Sequence, residues 1–348
     1  MTFLKNGVMN AAGFIHRLSL LKPPIHKYID KHRVQFVPRL NIKCRKNLPF
    51  QILTYHRILP EFQPFAIDVK PVDRFRKQVQ ILASSFRVIT VEQLIEEIEC
   101  NTMKPNTVCI TFDDGYLDNF QFAFPILRDH GLSATIFLTT DLINTDRVLW
   151  PDTVLLAIKK TNVKRFTYKN AKIVDADFTN LGNRLKTSFA LLKWLKRFEP
   201  SERDKRIGDI LSICRIKAMS TERLMLNWQE VKEMRRAGFS FGSHTKTHPI
   251  LSSLTAKAAE KEIVESKIAI ETALGESIRT FAYPNGQAGD FNENCKSVLE
   301  RSGYDCALTT IRGINTRETD MYELKRGTPW EQNPRFFYAR LLIERFCG

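Results

Sequence analysis

The stretch Thr107-Val-Cys-Ile-Thr-Phe112, followed by Asp113-Asp114-Gly115, decides how this chain folds. Residues 107–112 are apolar or β-branched, which predicts a buried β-strand. The strand delivers Asp113 and Asp114 at its carboxyl end. In barrel-like α/β folds the loops at this end of the strands converge, so both carboxylates are candidates for a functional site.

Two histidines stand four residues apart later in the chain, in Gly242-Ser-His244-Thr-Lys-Thr-His248-Pro249. The chain has seven histidines, and only this pair has that spacing. Pro249 disfavours a helix at His248, so the pair is expected on a loop that leaves a strand. Two imidazoles and one carboxylate are a typical ligand set of a hydrolytic metal site, with a second carboxylate free to move protons. Asp-Gly turn formation and loop hydrogen bonding are the structural alternatives.

Predicted strands and helices alternate along the chain, which is typical of a parallel α/β architecture. Thr90 and Gln93 form a capping box, which marks the start of one of these helices. The predicted strands are 50–55, 86–89, 107–112, 134–138, 239–242, 278–283, 305–309 and 321–325. The predicted helices are 73–84, 91–100, 118–130, 228–237, 255–274 and 293–302. Residues 141–222 interrupt this alternation and are interpreted as a mostly helical insertion, so residues 50–348 are expected to form one catalytic domain.

Composition excludes several classes of protein. A hydrophobic fraction of 43% and a charged fraction of 26% are typical of a globular protein and exclude disordered and fibrous classes. The seven cysteines contain no C-x-x-C pair, so neither a disulfide framework nor a thiolate metal site is expected. No signal peptide and no membrane span are recognised. These observations predict a cytoplasmic protein.

Positive charge is concentrated at the N-terminus. The whole chain has a net charge of +15, and residues 1–48 contain ten Lys/Arg against one acid, Asp30. Residues 1–49 are therefore interpreted as a basic arm. It is either a solvated extension or a contact with an anionic membrane surface or a phosphate-bearing substrate, which would place the protein peripherally at the inner membrane. Nucleic acid is not an expected partner, because no recognition motif accompanies the charge.

The two motifs together resemble those of the polysaccharide deacetylases, also called carbohydrate esterase family 4 or the NodB-like family. Thr111–Gly115 matches the family's first motif and His244–His248 its second. The resemblance implies a distorted (β/α) barrel in which Asp113 is the catalytic base. It further implies that Asp114, His244 and His248 bind a divalent metal, usually zinc. The implied substrate is an N-acetylated glycan or a lipid-linked glycan precursor.

Two other family motifs are altered here. The third reads Ala282-Tyr283-Pro284-Asn285-Gly286, so Ala282 replaces the arginine that orients the base, and no obvious substitute stands nearby. The oxyanion contact is a backbone N–H, which Asn285 can supply. Tyr283 is a further candidate for substrate contact. The fifth motif ends in Arg326 instead of the histidine that acts as general acid.

Three proton donors therefore remain open: His56, Arg326 through a water, or Asp113 acting twice. Tyr55-His56-Arg57-Ile58 resembles a bacterial branch of the family associated with exopolysaccharide and cell-surface glycan synthesis, in which His56 could lie near the metal. The alternative is an ordinary histidine at a strand end.

Other readings remain possible. Trp330 is a candidate for stacking on a sugar ring, whereas Trp150, Trp228 and Phe291 are assigned to the core. The alternative functions are hydrolysis of a non-sugar amide or formyl group, and a catalytically silent glycan- or membrane-binding relative.

Overall fold

A computed structural model describes residues 48–216 and 222–347 of the chain, so nearly all of the predicted basic arm lies outside the described residues. Within those ranges the strands are β1 (Gln51–Tyr55), β2 (Arg57–Leu59), β3 (Val69–Pro71), β4 (Arg87–Ile89), β5 (Thr107–Phe112), β6 (Thr135–Leu138), β7 (Arg165–Tyr168), β8 (Ile173–Asp177), β9 (Ser240–Ser243), β10 (Thr280–Ala282) and β11 (Cys306–Leu308). The α-helices there are α1 (Val72–Ser85), α2 (Val91–Glu99), α3 (Phe124–Asp129), α4 (Trp150–Lys160), α5 (Leu181–Leu195), α6 (Pro200–Ile213), α7 (Trp228–Arg236), α8 (Ala256–Leu274), α9 (Glu293–Arg301) and α10 (Pro334–Cys347).

The main sheet is parallel and curled, with the strand order β1-β5-β6-β9-β10-β11 and β4 paired with the start of β5. Every residue of β5 is buried. This is expected when both faces of a parallel strand are covered. The sheet order places the carboxyl ends of β5 and β9 on the same edge, separated by β6 alone.

An irregular segment, residues 324–327, joins the two outer strands of the sheet. The Leu324 N–H donates to the Ala307 carbonyl at 3.0 Å, next to β11, and the Gly327 N–H donates to the Ile52 carbonyl at 2.8 Å, next to β1. The distorted (β/α) barrel expected from the sequence is therefore confirmed. The regular strand predicted at 321–325 is wrong, because Met321–Glu323 forms a 3-10 turn and the following residues form isolated bridges only.

The inserted elements have a hydrophobic core of their own. Helices α4, α5 and α6 pack with the antiparallel pair β7 and β8 around a cluster of buried side chains. That cluster includes Leu155, Phe166, Phe178, Leu191 and Ile210. The insertion is mostly helical as predicted, but the β7–β8 hairpin was missed. Its first strand alternates exposed and buried residues over only Arg165–Tyr168, which is too short for periodicity to mark clearly.

Most other predicted elements agree with the structure to within one or two residues, a usual uncertainty at element ends. The capping box of α2 is confirmed, because Thr90 Oγ1 accepts from the Gln93 N–H at 3.2 Å and Gln93 Oε1 accepts from the Thr90 N–H at 3.1 Å. The helix predicted at 118–130 begins instead with a π-helical turn, Asn119–Ala123. Across the two described ranges, no helix is both long and apolar enough to cross a membrane.

Candidate metal and acid-base site

The two adjacent carboxylates follow β5 in a strained turn. The Asp113 N–H donates to the Tyr55 carbonyl at 3.0 Å and so extends the pairing of β1 with β5. Asp114 and Gly115 both have left-handed backbones, with φ of 76° and 83°. A Cβ at Gly115 would lie 2.9 Å from the end of the Leu138 side chain, and the left-handed backbone itself favours glycine at this position. Left-handed aspartate is costly and is typical of functional sites.

Residues 224–226, which follow the insertion, form hydrogen bonds with residues of this turn. The Leu226 N–H donates to the Gly115 carbonyl at 2.9 Å, and the Leu117 N–H donates to the Leu224 carbonyl at 2.8 Å. Two backbone hydrogen bonds therefore hold the residues immediately after Asp114. The insertion is connected to the loop of the site and is not a remote appendage.

His244 follows β9 and is almost completely buried. Its N–H donates to the Leu138 carbonyl at 2.9 Å, and its ring Nδ1 lies 2.7 Å from the Ala282 carbonyl. A carbonyl can only accept, so this contact places the proton on Nδ1 and leaves the Nε2 lone pair available as a ligand. Burial lowers the pKa of His244 to about 4, so the ring is neutral near pH 7.

A partly buried glutamate organises the loop between the two histidines. Glu262, on α8, accepts hydrogen bonds from the N–H groups of Lys246 at 2.9 Å and Thr247 at 2.8 Å. His248 has a left-handed backbone with φ of 60°, and its N–H donates to Thr245 Oγ1 at 3.0 Å. Sequence reasoning missed Glu262, because a glutamate on an amphipathic helix normally faces solvent.

Asp114, His244 and His248 form a cluster in which one ligand atom from each residue lies within 4.8 Å of the others. Asp114 Oδ1 is 3.5 Å from His244 Nε2 and 3.3 Å from His248 Nε2. Among the described residues, Asp114 Oδ1 is buried and lacks a hydrogen-bond partner. Burial alone would raise the pKa of Asp114, but the neighbouring imidazoles outweigh it and hold that pKa well below its usual value.

This cluster fits a divalent cation. A buried anionic oxygen without a hydrogen bond is costly unless a cation or proton reaches it. Two imidazole nitrogens and one carboxylate oxygen are also the protein ligands of many catalytic zinc sites. The predicted convergence of these three residues is observed.

Asp113 is held by a buried arginine. Arg326 Nη1 donates to Asp113 Oδ1 at 2.8 Å, and Nη2 donates to Oδ2 at 2.7 Å. Arg326 Nε donates to the Thr309 carbonyl at 2.7 Å, which fixes the plane of the guanidinium. Burial would raise the pKa of Asp113, but the charge of Arg326 outweighs it, so the pKa is lowered and the carboxylate is anionic at neutral pH.

This pair corrects two expectations. The sequence offered no substitute near Ala282 for the arginine that orients Asp113. Arg326 takes that position in space, and it belongs to the fifth motif rather than the third. Arg326 is also unsuited to donate a proton through a water, because guanidinium does not lose its proton in proteins and this one is already bound to Asp113.

His56 lies beside the same carboxylate. Its Nε2 is 3.8 Å from Asp113 Oδ2, and its Nδ1 is 3.7 Å from Asp68 Oδ2. Burial alone would lower the pKa of His56, but Asp68, Asp114 and Asp113 together raise it above its usual value. The structure therefore places His56 in the candidate site rather than only at a strand end. Asp68, missed in the sequence, is its partner.

The third motif, which is altered here, contains a core residue, Tyr283, and a turn residue, Asn285. Tyr283 is buried, stacks on Phe291 with ring centroids 4.1 Å apart, and donates from its hydroxyl to the Tyr322 carbonyl at 3.1 Å. Its side chain is thus occupied by core contacts and does not serve as a substrate contact. Asn285 has a left-handed backbone with φ of 63°, and Lys196 donates to its side-chain oxygen.

The aromatic candidates differ in exposure. Trp330 is 53% exposed, so its ring is accessible. Trp150 packs against the core of the insertion, and Trp228 packs against the barrel core. Phe291 is buried in the barrel core, so the assignment of these three rings to the core is confirmed.

A buried polar network lies next to the Asp-His-His cluster. Arg57 donates to Asp118 Oδ2 at 2.8 Å and lies 4.4 Å from the centre of the Tyr116 ring. The Tyr116 hydroxyl donates to Asp152 Oδ2 at 2.8 Å. Burial raises the pKa of Asp152 to about 6. Because Asp152 is on α4, this network ties the insertion to the residue that follows Asp114 and Gly115.

Comparison with known proteins places this geometry in a family. Residues 101–307 match the family model described as polysaccharide deacetylase. YxkH of Bacillus subtilis, a protein named as a polysaccharide deacetylase, is 25% identical over 225 residues. That match covers 64% of this chain and 52% of the relative, so the chain matches only about half of the relative's length.

Several solved structures share the fold. The deacetylase PplD of Streptococcus pyogenes, in complex with acetate, gives a TM-score of 0.57 at 19% identity, over 86% of this chain and 99% of that chain. IcaB from Ammonifex degensii gives 0.55 at 16% identity, over 84% and 96%. The BpsB deacetylase domain from Bordetella bronchiseptica gives 0.51 at 17% identity, over 81% and 96%. The family match over more than half of the sequence shows that this chain belongs to the polysaccharide deacetylase family.

Proposed function

We propose that this chain is a divalent-metal-dependent hydrolase that removes N-acetyl groups from an amino-sugar glycan or a glycan precursor. One observation carries the proposal. The buried carboxylate of Asp113, fixed by Arg326, lies next in the chain to Asp114 of the Asp-His-His cluster, and His56 Nε2 is 3.8 Å from Asp113 Oδ2. This arrangement supports a base, a metal-ligand set and an acid acting at one place, as amide hydrolysis requires.

Asp114, His244 and His248 would hold the cation, and the nitrogen-rich ligand set favours zinc. When bound, the cation supplies Lewis-acid polarisation of the acetyl oxygen and acidifies the attacking water. Asp113 takes the proton of that water, because its lowered pKa keeps it ionised at neutral pH. Arg326 holds Asp113 in one orientation throughout.

The leaving amine needs a proton, and His56 is the side chain best placed to supply it. Asp68 and the site carboxylates raise the pKa of His56, so a protonated ring persists closer to neutral pH. The proton passes to the sugar nitrogen as the C–N bond breaks, and acetate and a free amine leave. The left-handed turn at Asn285 is the candidate source of the backbone N–H that stabilises the oxyanion.

The silent-relative alternative is less consistent with this site. Two neighbouring buried carboxylates, Asp113 and Asp114, are kept ionised by Arg326 and by imidazoles. Such an arrangement is costly to fold and has no role in binding alone. A non-sugar amide as substrate is not favoured by any particular contact.

The test measures metal content together with acetate release. Purified protein is analysed for bound metal and incubated with N-acetylglucosamine oligomers, with Asp113→Asn as the matched inactive control. We expect about one divalent ion per chain and acetate release that the control loses. Release of formate or of acetate only from non-sugar amides would support the other enzyme class. A metal-free protein with no hydrolysis of any amide would support the silent relative.

A further inference from the structure

The solvent-facing side of α5 is basic and has no acidic residue. From Phe178 to Phe198 the sequence has five Lys/Arg and no Asp/Glu. The inserted residues 150–216 as a whole contain fifteen Lys/Arg against seven Asp/Glu, a net charge of +8. The positive charge of this chain is therefore not confined to its N-terminal arm.

Helical spacing gathers part of this charge on one side. Lys186, Phe189, Ala190 and Lys193 are separated by three, four and seven positions, and all four are exposed. Residues at such spacings share one face of a helix. We call these four residues the α5 face. Leu191 and Leu195, on the opposite side of the helix, are buried in the core of the insertion.

The cations of the α5 face are not neutralised locally. Within residues 48–216 and 222–347, neither Lys186 nor Lys193 takes part in an ion pair. By contrast, Lys261 on α8 lies 3.8 Å from a carboxylate oxygen of Glu265. Unpaired lysines on one face form a positive surface that attracts an anionic partner.

Large apolar side chains accompany the lysines. Phe189 is 56% exposed and Leu181, at the start of α5, is 55% exposed. Lysines next to an exposed phenylalanine are typical of helices that lie in the interface of an anionic membrane. A soluble acidic polymer would also be attracted by the lysines, but it would leave Phe189 in water.

We propose that the α5 face binds the surface of an anionic phospholipid bilayer. The lysines contact lipid phosphates, and Phe189 enters the boundary between headgroups and acyl chains. Lys196 follows α5 directly and donates to the side chain of Asn285, so one end of this helix lies beside the candidate site. Membrane binding through the α5 face would thus bring that site close to the lipid surface, although the binding itself does not depend on the proposed hydrolysis.

The test uses the full chain, so that the N-terminal arm is the same in every variant. Partitioning is measured by co-sedimentation with vesicles of phosphatidylcholine, with and without phosphatidylglycerol. Lys186→Gln/Lys193→Gln is expected to weaken partitioning to the anionic vesicles about 30-fold, which corresponds to about 1 kcal/mol for each charge near the surface. Lys232→Gln/Lys257→Gln removes the same charge from exposed positions on α7 and α8, and we expect it to change partitioning little.

A second pair of variants separates a bilayer from a soluble polyanion. Phe189→Ser is expected to weaken the binding that persists at high salt about tenfold, because the apolar contribution is not screened. Ile268→Ser, at a residue on α8 that is also 56% exposed, is the control and should have no effect. Three results would each overturn the proposal. They are equal losses of binding for the two lysine-pair variants, equal binding to neutral and anionic vesicles, and no effect of Phe189→Ser together with competition by alginate.

Discussion

Arg326 and Asp113 face each other through two parallel hydrogen bonds of 2.8 and 2.7 Å, with both side chains almost completely buried. A bidentate pair fixes both the position and the plane of the carboxylate. Position matters for a base, because proton transfer in hydrolysis requires hydrogen-bond reach to the attacking water. Arg326, which lies in the irregular segment of residues 324–327, therefore sets the direction of the remaining lone pairs of Asp113.

Substitution of the arginine tests its positioning role. Arg326→Lys keeps the charge but cannot form both hydrogen bonds, so we expect deacetylation to fall about 10²-fold. The acidic limb of the pH profile should also move to higher pH, since the pKa of Asp113 rises when its partner is weakened. Metal content and the thermal midpoint are measured in parallel. A loss of activity without movement of the acidic limb would indicate a purely structural role.

The adjacent carboxylates are expected to respond differently to the same substitution. Asp113→Asn removes the base and keeps the metal ligands, so bound metal should persist while turnover falls by roughly 10²–10⁴-fold. Asp114→Asn removes the anionic ligand, so metal and activity should be lost together. Excess zinc should partly restore Asp114→Asn only. Rescue of Asp113→Asn instead would show that the two roles are reversed.

The histidine ligands provide a test that does not require a substrate. His244→Ala and His248→Ala should each lower zinc affinity strongly, because either change leaves two protein ligands. Competition with a chromophoric chelator measures this affinity directly. His130→Ala, on a histidine outside the cluster, is the control. Unchanged zinc affinity in both ligand variants would exclude the assigned metal site.

The raised pKa of His56 predicts the alkaline limb of the pH profile. A donor must be protonated, so activity should fall as the pH rises through the pKa of His56. Asp68→Asn removes a carboxylate that raises this pKa, and the alkaline limb should therefore move to lower pH. Asp175→Asn is a suitable control, because Asp175 has a left-handed backbone like Asp68 but belongs to the insertion hairpin. His56→Gln should abolish the limb, and an unchanged profile would exclude His56 as the donor.

Asp152 makes a prediction about stability. Its pKa in the folded protein is about 6, above its ordinary value of 3.8, so the folded state binds more protons between these pH values. The free energy of unfolding should fall as the pH rises through this window, by about 3 kcal/mol from this group. Asp152→Asn keeps an acceptor for the Tyr116 hydroxyl and cannot ionise. Urea unfolding at several pH values should show a flatter profile for the variant, and parallel profiles would contradict the assignment.

Local sequence patterns were sufficient to predict the elements that carry the proposed metal ligands. The β-branched run of β5, the Pro249 that excludes a helix at His248 and the Thr90 capping box each act over a few residues. Such effects depend on backbone geometry and side-chain alternation, which the sequence displays directly. The β7–β8 hairpin was missed because both of its strands are short.

The sequence by itself determined the parallel α/β architecture and the residues of the Asp-His-His cluster. Each motif follows a predictable strand, and the carboxyl ends of the strands of one barrel lie on the same edge. Only the tertiary structure decided which side chains surround these residues. Arg326 and Asp113 are separated by 213 positions, and His56 approaches Asp113 from β1. Their contact depends on how the irregular segment at residues 324–327 closes the barrel. A local sequence pattern does not encode contacts between side chains that are brought together only by this closure.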